Sequence, residues 1–218
     1  MSLYGWLAGL TGLALIGLLV SERSEIAPGK WVCKPIASAG FIAASLAGGL
    51  PTNGFGWAIV AALVLSFGGD VCLIPRGTRW FAAGLASFLL GHLGFAAAFL
   101  FRGVAPLWAL GALPVVAVIA IGVHRWLRPH VPDRLRGPVI AYIVVISTMV
   151  VLAVSTFGHR PDAQGALLLG AAVAFFCSDL AVARNRFVSE GFVNRLWGLP
   201  LYYGAQLTFA WTLVSAAL

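Results

Sequence analysis

The sequence predicts an all-α polytopic membrane protein built as a bundle of eight transmembrane helices. Three observations carry that prediction. The chain is 61% hydrophobic and 10% charged, with a mean hydropathy of +0.96, whereas a soluble domain carries about 25% charged residues. Its apolar residues gather into eight runs, each near the roughly 20 residues that a helix needs to cross hydrocarbon. Its basic residues collect in alternate connections between those runs, the pattern of cytoplasmic loops. Eight spans use up 218 residues as a single integral membrane domain, 1–218, and leave no separate soluble one.

The runs follow in order. The first, 3–20, has no basic segment before it and ends at SERSEIAPGK without a small-residue cleavage site, so it reads as a span rather than a cleaved signal. The second, 31–49, opens on WVCKP, where Pro35 suits the first turn of a helix. The third, 55–75, closes on SFGGDVCLIP, and the fourth, 79–101, contains SFLLGHLGF. The fifth and sixth, 104–122 and 138–157, flank the longest connection, HRWLRPHVPDRLRG. The seventh, 163–183, closes on FFCSDLAVA, and the eighth, 196–217, contains PLYYGAQLTFAW.

Charge then sets the orientation. The connections after runs one, three, five and seven hold eleven of the 14 lysines and arginines, while the opposite connections and the termini hold two, Arg102 and Arg160. By the positive-inside rule the first group faces the cytoplasm and both termini face away from it. The net charge of +7 is the product of those loops, so no nucleic-acid partner is expected.

Two of the seven acidic residues, Asp70 and Asp179, lie inside apolar runs. A carboxylate in hydrocarbon costs several kcal/mol unless it is paired, protonated or facing a water-filled cavity, so an intramembrane pair reads as a functional site. Each lies five residues before the polar boundary at the same side of the membrane, Pro75 for one and Arg184 for the other, roughly 7–8 Å deep at 1.5 Å per residue. The two are 109 positions apart, half the chain. That spacing suggests two parallel four-helix repeats, 1–109 and 110–218, related by an axis along the membrane normal, although coincidence explains so slight a local identity equally well.

Other polar residues lie within the runs, Lys34 near the depth of the aspartates, His92 roughly midway and Gln206 deeper. Lys34 is either an ammonium paired with the carboxylates or a substrate phosphate, or a lysine snorkelling to the headgroups. His92 is the one histidine inside a run, either part of the chemistry or an interhelical hydrogen-bonding group. Tyr202 and Gln206 are four apart on one helical face, and Tyr142 sits at a similar level; an interfacial tyrosine belt is the plain alternative. Asn185, between two arginines, is placed to touch a phosphate or to cap a helix end. Gly68 and Gly69 allow close helix approach or a local opening beside Asp70. No HxxH, HExxH or CxxC spacing occurs, so no metal site is expected, and three cysteines do not make a disulfide framework.

The set KP in run two, GD closing run three, GH in run four, SD in run seven followed by NRF, and PLYYxAQ in run eight resembles the YhhN family, which includes the lysoplasmalogenases. The resemblance covers nearly the whole chain; GGD and ARNRF are its loose points. It implies an eight-helix enzyme of the bacterial inner membrane that hydrolyses the vinyl ether bond of lysoplasmalogens, giving a fatty aldehyde and a glycerophospho-ethanolamine or -choline. It implies Asp70 and Asp179 as the catalytic pair and no cofactor. Substrate binding would fall to Lys34, His92, Asn185, Tyr142, Tyr202 and Gln206, with a lysophospholipid and membrane lipids as partners. Two carboxylates suit a reaction through an oxocarbenium ion, as they do in glycosidases, with Asp70 as the expected acid and Asp179 as the expected base. The residues alone also admit a proton-coupled transporter, or a hydrolase of another lysolipid; carboxylates displaced from midplane favour an enzyme.

Overall fold

A computed structural model describes residues 2–215. The chain forms α1 (Leu3–Arg23), α2 (Ala27–Ser45), α3 (Gly54–Cys72), α4 (Thr78–Arg102), α5 (Pro106–Leu127), α6 (Asp133–His159), α7 (Ala163–Ala183), a π-helical turn (Arg184–Val188) and α8 (Phe192–Val214). Six of the eight helices, α1 and α3 to α7, are long and apolar enough to cross a membrane. The protein is an integral membrane protein. The other two carry more polar load, Lys30 and Lys34 on α2 and Asn194, Arg195 and Gln206 on α8. Those groups turn inward or sit at an end, as the site below requires.

Short polar side chains start three helices by accepting the first free amides. Ser2 Oγ takes the Gly5 amide at 3.2 Å, Asn53 Oδ1 takes that of Gly56 at 2.9 Å, and Asp162 Oδ1 takes that of Gly165 at 2.7 Å. Sequence reading set the fifth and sixth runs too short. α5 continues to Leu127 and α6 begins at Asp133, so most of HRWLRPHVPDRLRG is helical. Hydropathy registers only the apolar part of a span, whereas backbone hydrogen bonding carries a helix on past the hydrocarbon edge. α2 is likewise displaced, starting at Ala27 with Pro28 in its first turn and ending at Ser45, so that Pro35 lies inside the helix and not in its first turn.

Successive helices pair as antiparallel neighbours: α1 with α2, α3 with α4, α5 with α6, and α7 with α8. Between pairs, α2 packs on α8 and α6 packs on α4. Aromatic rings fill the centre. Phe95 stacks on Phe209 at 4.1 Å, and Phe175 meets His92 edge-on at 4.5 Å and Tyr202 at 5.3 Å. α5 buries only Val116 and Leu127 and lies at the periphery.

The two ends of the bundle differ. At one end Arg102 Nη2 holds both oxygens of Asp162 at 2.6 and 2.8 Å and Nη1 donates to Gln164, whose amide donates to the Thr212 carbonyl at 2.7 Å. That chain of bonds ties α4, α7 and α8 together. The Gly165 amide, with the Arg102 guanidinium beside it, holds the Asp162 carboxyl below its ordinary range. The other end carries most of the basic residues and is open.

Candidate active site: two aspartates on one chamber

Asp70 lies near the C-terminal end of α3 and is 2% exposed. Three donors converge on it. Ser38 Oγ and Tyr202 OH donate to Oδ2 at 2.7 and 2.6 Å, and Lys34 Nζ stands 3.2 Å from Oδ1. Lys34 and Ser38 come from α2, one turn apart on one face, and Tyr202 comes from α8. Tyr203 OH then meets Ser38 Oγ at 3.1 Å. A buried ammonium persists because its partner carboxylate accepts from it and from two hydroxyls besides. The bare Gly69 makes room for this arrangement: a Cβ there would lie 2.5 Å from the Phe88 ring. Of the two expectations for the glycine pair, close approach is the one observed, with α3 continuing as regular helix to Cys72.

Asp179 lies near the end of α7 and is held differently. Tyr142 OH donates to Oδ2 at 2.5 Å, His92 Nε2 stands 3.1 Å from the same oxygen, and Tyr142 OH and His92 Nε2 are 2.9 Å apart. Tyr142 comes from α6 and His92 from α4. His92 is fully buried and its Nδ1 has no partner. An orphaned buried N–H is rarer and costlier than an orphaned lone pair. The proton therefore belongs on Nε2, which donates to Asp179. Both donors fall on one oxygen, and Oδ1 of Asp179 has no hydrogen-bond partner among the described residues. Its side chain is 16% exposed, against 4% for that of Asp70.

Both carboxylates line one cavity, together with Lys34, Tyr142 and Tyr202. The rest of its wall is mostly apolar, including Leu85, Leu127, Val139 and Ile143 from α4, α5 and α6. A second cavity adjoins it at the open end and shares Lys34, Leu73, Phe81 and Arg195. That vestibule is lined with charge: Arg23, Lys30, Arg76 and Arg186 among the cations, and Glu22, Glu25 and Glu190 among the anions. An apolar chamber with two acids on its wall and a charged vestibule outside fits an amphiphile, with tail inward and head outward.

The structure brings five of the eight residues singled out in the sequence directly to the chamber wall: Asp70, Asp179, Lys34, Tyr142 and Tyr202. His92 reaches the site through Asp179. Asn185 lines the vestibule, but its amide oxygen is used in the turn before α8, accepting from Gly191 N and Asn194 Nδ2 at 3.1 Å each. Gln206 is fully buried one turn beyond Tyr202 and is not part of the chamber wall. Ser38 was not singled out, although its place four residues after Lys34 on the same face was the available signal. Among the described residues no group of three or more histidine, cysteine and carboxylate side chains is placed to hold a metal.

The model of the YhhN family matches residues 29–213. The chain belongs to the YhhN family. Among curated relatives, this YhhN protein is 34% identical over 209 residues to a lysoplasmalogenase of Mycobacterium bovis, a match covering 88% of this chain and 78% of that one. It is 32% identical over 177 residues to mouse lysoplasmalogenase TMEM86B, covering 80% and 70% of the two chains. The human TMEM86B lysoplasmalogenase is 30% identical over 158 residues, 72% of this chain and 63% of that one. No solved structure matches the chain.

Proposed function

We propose that this YhhN protein is a membrane-embedded hydrolase that cleaves the vinyl ether bond of lysoplasmalogens, releasing a fatty aldehyde and a glycerophospho-ethanolamine or -choline. The observation that carries the reading is the pair of differently held aspartates on one apolar chamber that opens into a charged vestibule. The named activity of the relatives supports the same reading.

The geometry favours exchanging the roles expected from sequence. Asp70 accepts from an ammonium and two hydroxyls, which suits a fixed negative charge and not a proton donor. Asp179 has an oxygen free to carry and deliver a proton. In this scheme Asp179 protonates the alkene carbon remote from the ether oxygen, and the electron pair of the double bond forms the new C–H bond. The resulting oxocarbenium ion is stabilised by the Asp70 charge in a site shielded from bulk water. Water adds to the cation carbon and gives a proton to the Asp179 carboxylate, so the same group serves as acid and then base, as in retaining glycosidases. The hemiacetal then collapses: Asp179 gives its proton to the departing glycerol oxygen and takes up the hydroxyl proton as the C=O bond forms, so that aldehyde, alcohol and protonated Asp179 result. Tyr142 and His92 hold Oδ2 so that Oδ1 faces the substrate.

All eight helices are proposed to cross the bilayer, α2 and α8 included, with both termini away from the cytoplasm and the vestibule on the cytoplasmic leaflet of a bacterial inner membrane. The excess of basic residues at that end supports the orientation. A duplication, 1–109 and 110–218, is supported by the neighbour scheme. In each half the third helix supplies the aspartate, the second helix of the same half donates to it, and the fourth helix of the other half donates as well.

The test is aldehyde release from a lysoplasmalogen by purified protein in detergent, beside Asp179→Asn and Asp70→Asn. Activity in the parent that both variants lose supports the dyad. A parent inactive on every vinyl ether lipid overturns the reading and moves the function toward another lysolipid or transport.

A further inference from the structure

The vestibule contains two carboxylates that the chemistry above leaves unused. Glu22 is already engaged, 2.9 Å from Lys30 Nζ and 3.9 Å from Arg195 Nε, and so links α1, α2 and α8. Glu25 and Glu190 line the same cavity and form no ion pair among the described residues. Glu25 stands out for a second reason. It follows α1 at φ 55°, in the left-handed region, and is the only non-glycine residue there among the described residues. The turn is a helix C-terminal motif, with Ser24 N on the Val20 carbonyl and Ile26 N on the Ser21 carbonyl, both at 2.9 Å. Glycine is the usual occupant of this place because it has no Cβ to clash. Glutamate is therefore a poor choice for the turn, and what it adds is a carboxylate facing a cavity of opposite charges. Backbone strain of this kind is found where function holds it.

The cations of the vestibule complement that carboxylate. Arg76, Arg186 and Arg195 line the same cavity, and Arg195 also lines the inner chamber. A head group reaching out of the chamber thus passes a guanidinium first and meets free carboxylates in the outer cavity. Building on the hydrolase reading for the identity of the lipid, we infer that the vestibule is a zwitterion site: arginines take the phosphate, and Glu25 and Glu190 take the terminal ammonium. A head of this kind satisfies both sets of charges. A head ending in phosphate alone leaves the carboxylates unanswered and faces their repulsion. Glu25 and Glu190 are specificity residues in this scheme and take no part in bond breaking.

Binding tests this without turnover. Saturated 1-alkyl lyso-ether lipids, which have no vinyl bond to cleave, are titrated against the purified full chain with either a phosphoethanolamine or a bare phosphate head. The parent is expected to favour the zwitterion. Glu25→Gly and Glu190→Gln each lower that preference by about tenfold, the loss of one charge-assisted contact, and leave the affinity for the phosphate head unchanged or improved. Glu25→Gly is also expected to keep or raise the unfolding temperature, because glycine suits the turn, so loss of selectivity cannot be ascribed to loss of fold. Equal affinity of the parent for the two heads overturns the inference, as does a preference that survives both substitutions. Aldehyde release is scored separately: head selectivity without any vinyl ether cleavage leaves this site standing and removes the hydrolase reading, and cleavage without selectivity does the reverse.

Discussion

Asp70 and Asp179 occupy equivalent places near the ends of α3 and α7, yet their surroundings differ in kind. Asp70 is closed in by Lys34, Ser38 and Tyr202, with a donor on each oxygen. Asp179 has Tyr142 and His92 on a single oxygen and leaves the other bare. A carboxylate with donors on both oxygens suits the fixed charge of the proposed mechanism. One with an idle oxygen on a chamber wall is available for proton transfer. The contrast teaches that role follows from the donors and their placement, and not from residue type or depth in the membrane.

The largest effect expected is on catalysis. Asp179→Asn lowers aldehyde release by about 10³-fold, within the range for loss of a general acid–base group, with the unfolding midpoint close to that of the parent. Asp70→Asn costs less, about 10²-fold, as loss of an electrostatic stabiliser does. The reverse order of the two would break the assignment of roles.

Stability sharpens the contrast from the other side. Lys34→Met leaves Asp70 as an uncompensated buried charge and is expected to destabilise the protein by about 3–5 kcal/mol, read by denaturant or thermal unfolding in detergent. Adding Asp70→Asn to Lys34→Met restores most of that stability and none of the activity. If the double variant stays as unstable as Lys34→Met, the ion pair does not dominate this region.

Smaller changes follow at the donors. Tyr142→Phe removes a hydroxyl donor from Asp179, the acid of the proposed mechanism, and is expected to slow aldehyde release about tenfold. Tyr202→Phe, which still leaves Asp70 two donors, slows it less. Equal losses at the two tyrosines would argue that both carboxylates are used alike.

The smallest effect lies at the closed end. Asp162 is held below its ordinary range by the Gly165 amide and by Arg102. Its folded pKa is thus lower than its unfolded value, so its contribution is complete above about pH 4, the unfolded value, and fades as pH falls through the lower folded value. Unfolding midpoints measured downward from pH 6 should decline more for the parent than for Asp162→Asn. Parallel curves would remove the carboxylate from the account of this end.

Most of the helix bundle was legible in the sequence because hydrocarbon imposes a simple rule. Every backbone polar group must be satisfied within the membrane, so apolar runs of sufficient length become helices. The ends were less legible. Arg125 and Asp133 belong to α5 and α6, and helix formation past the hydrocarbon edge leaves no mark in hydropathy. The site was legible in part because an ionisable residue at depth has few reasons to be there, and this brought out Asp70, Asp179, Lys34 and His92. Ser38 escaped notice because a serine in a helix is common and reveals nothing without a partner. Gln206 drew notice for its polarity, yet the tertiary packing buries it beyond the chamber wall.

By itself, then, the sequence determined an all-helical membrane chain, its family and the two acids that lie inside its apolar runs, because these depend on composition and on order along the chain. Only the tertiary structure decided that Lys34 pairs with Asp70 and that His92 and Tyr142 share one oxygen of Asp179. It also decided that an apolar chamber meets a charged vestibule at Arg195. Those contacts join residues from different helices, and the physical properties of a carboxylate are set by whichever donors the packing brings within hydrogen-bonding distance.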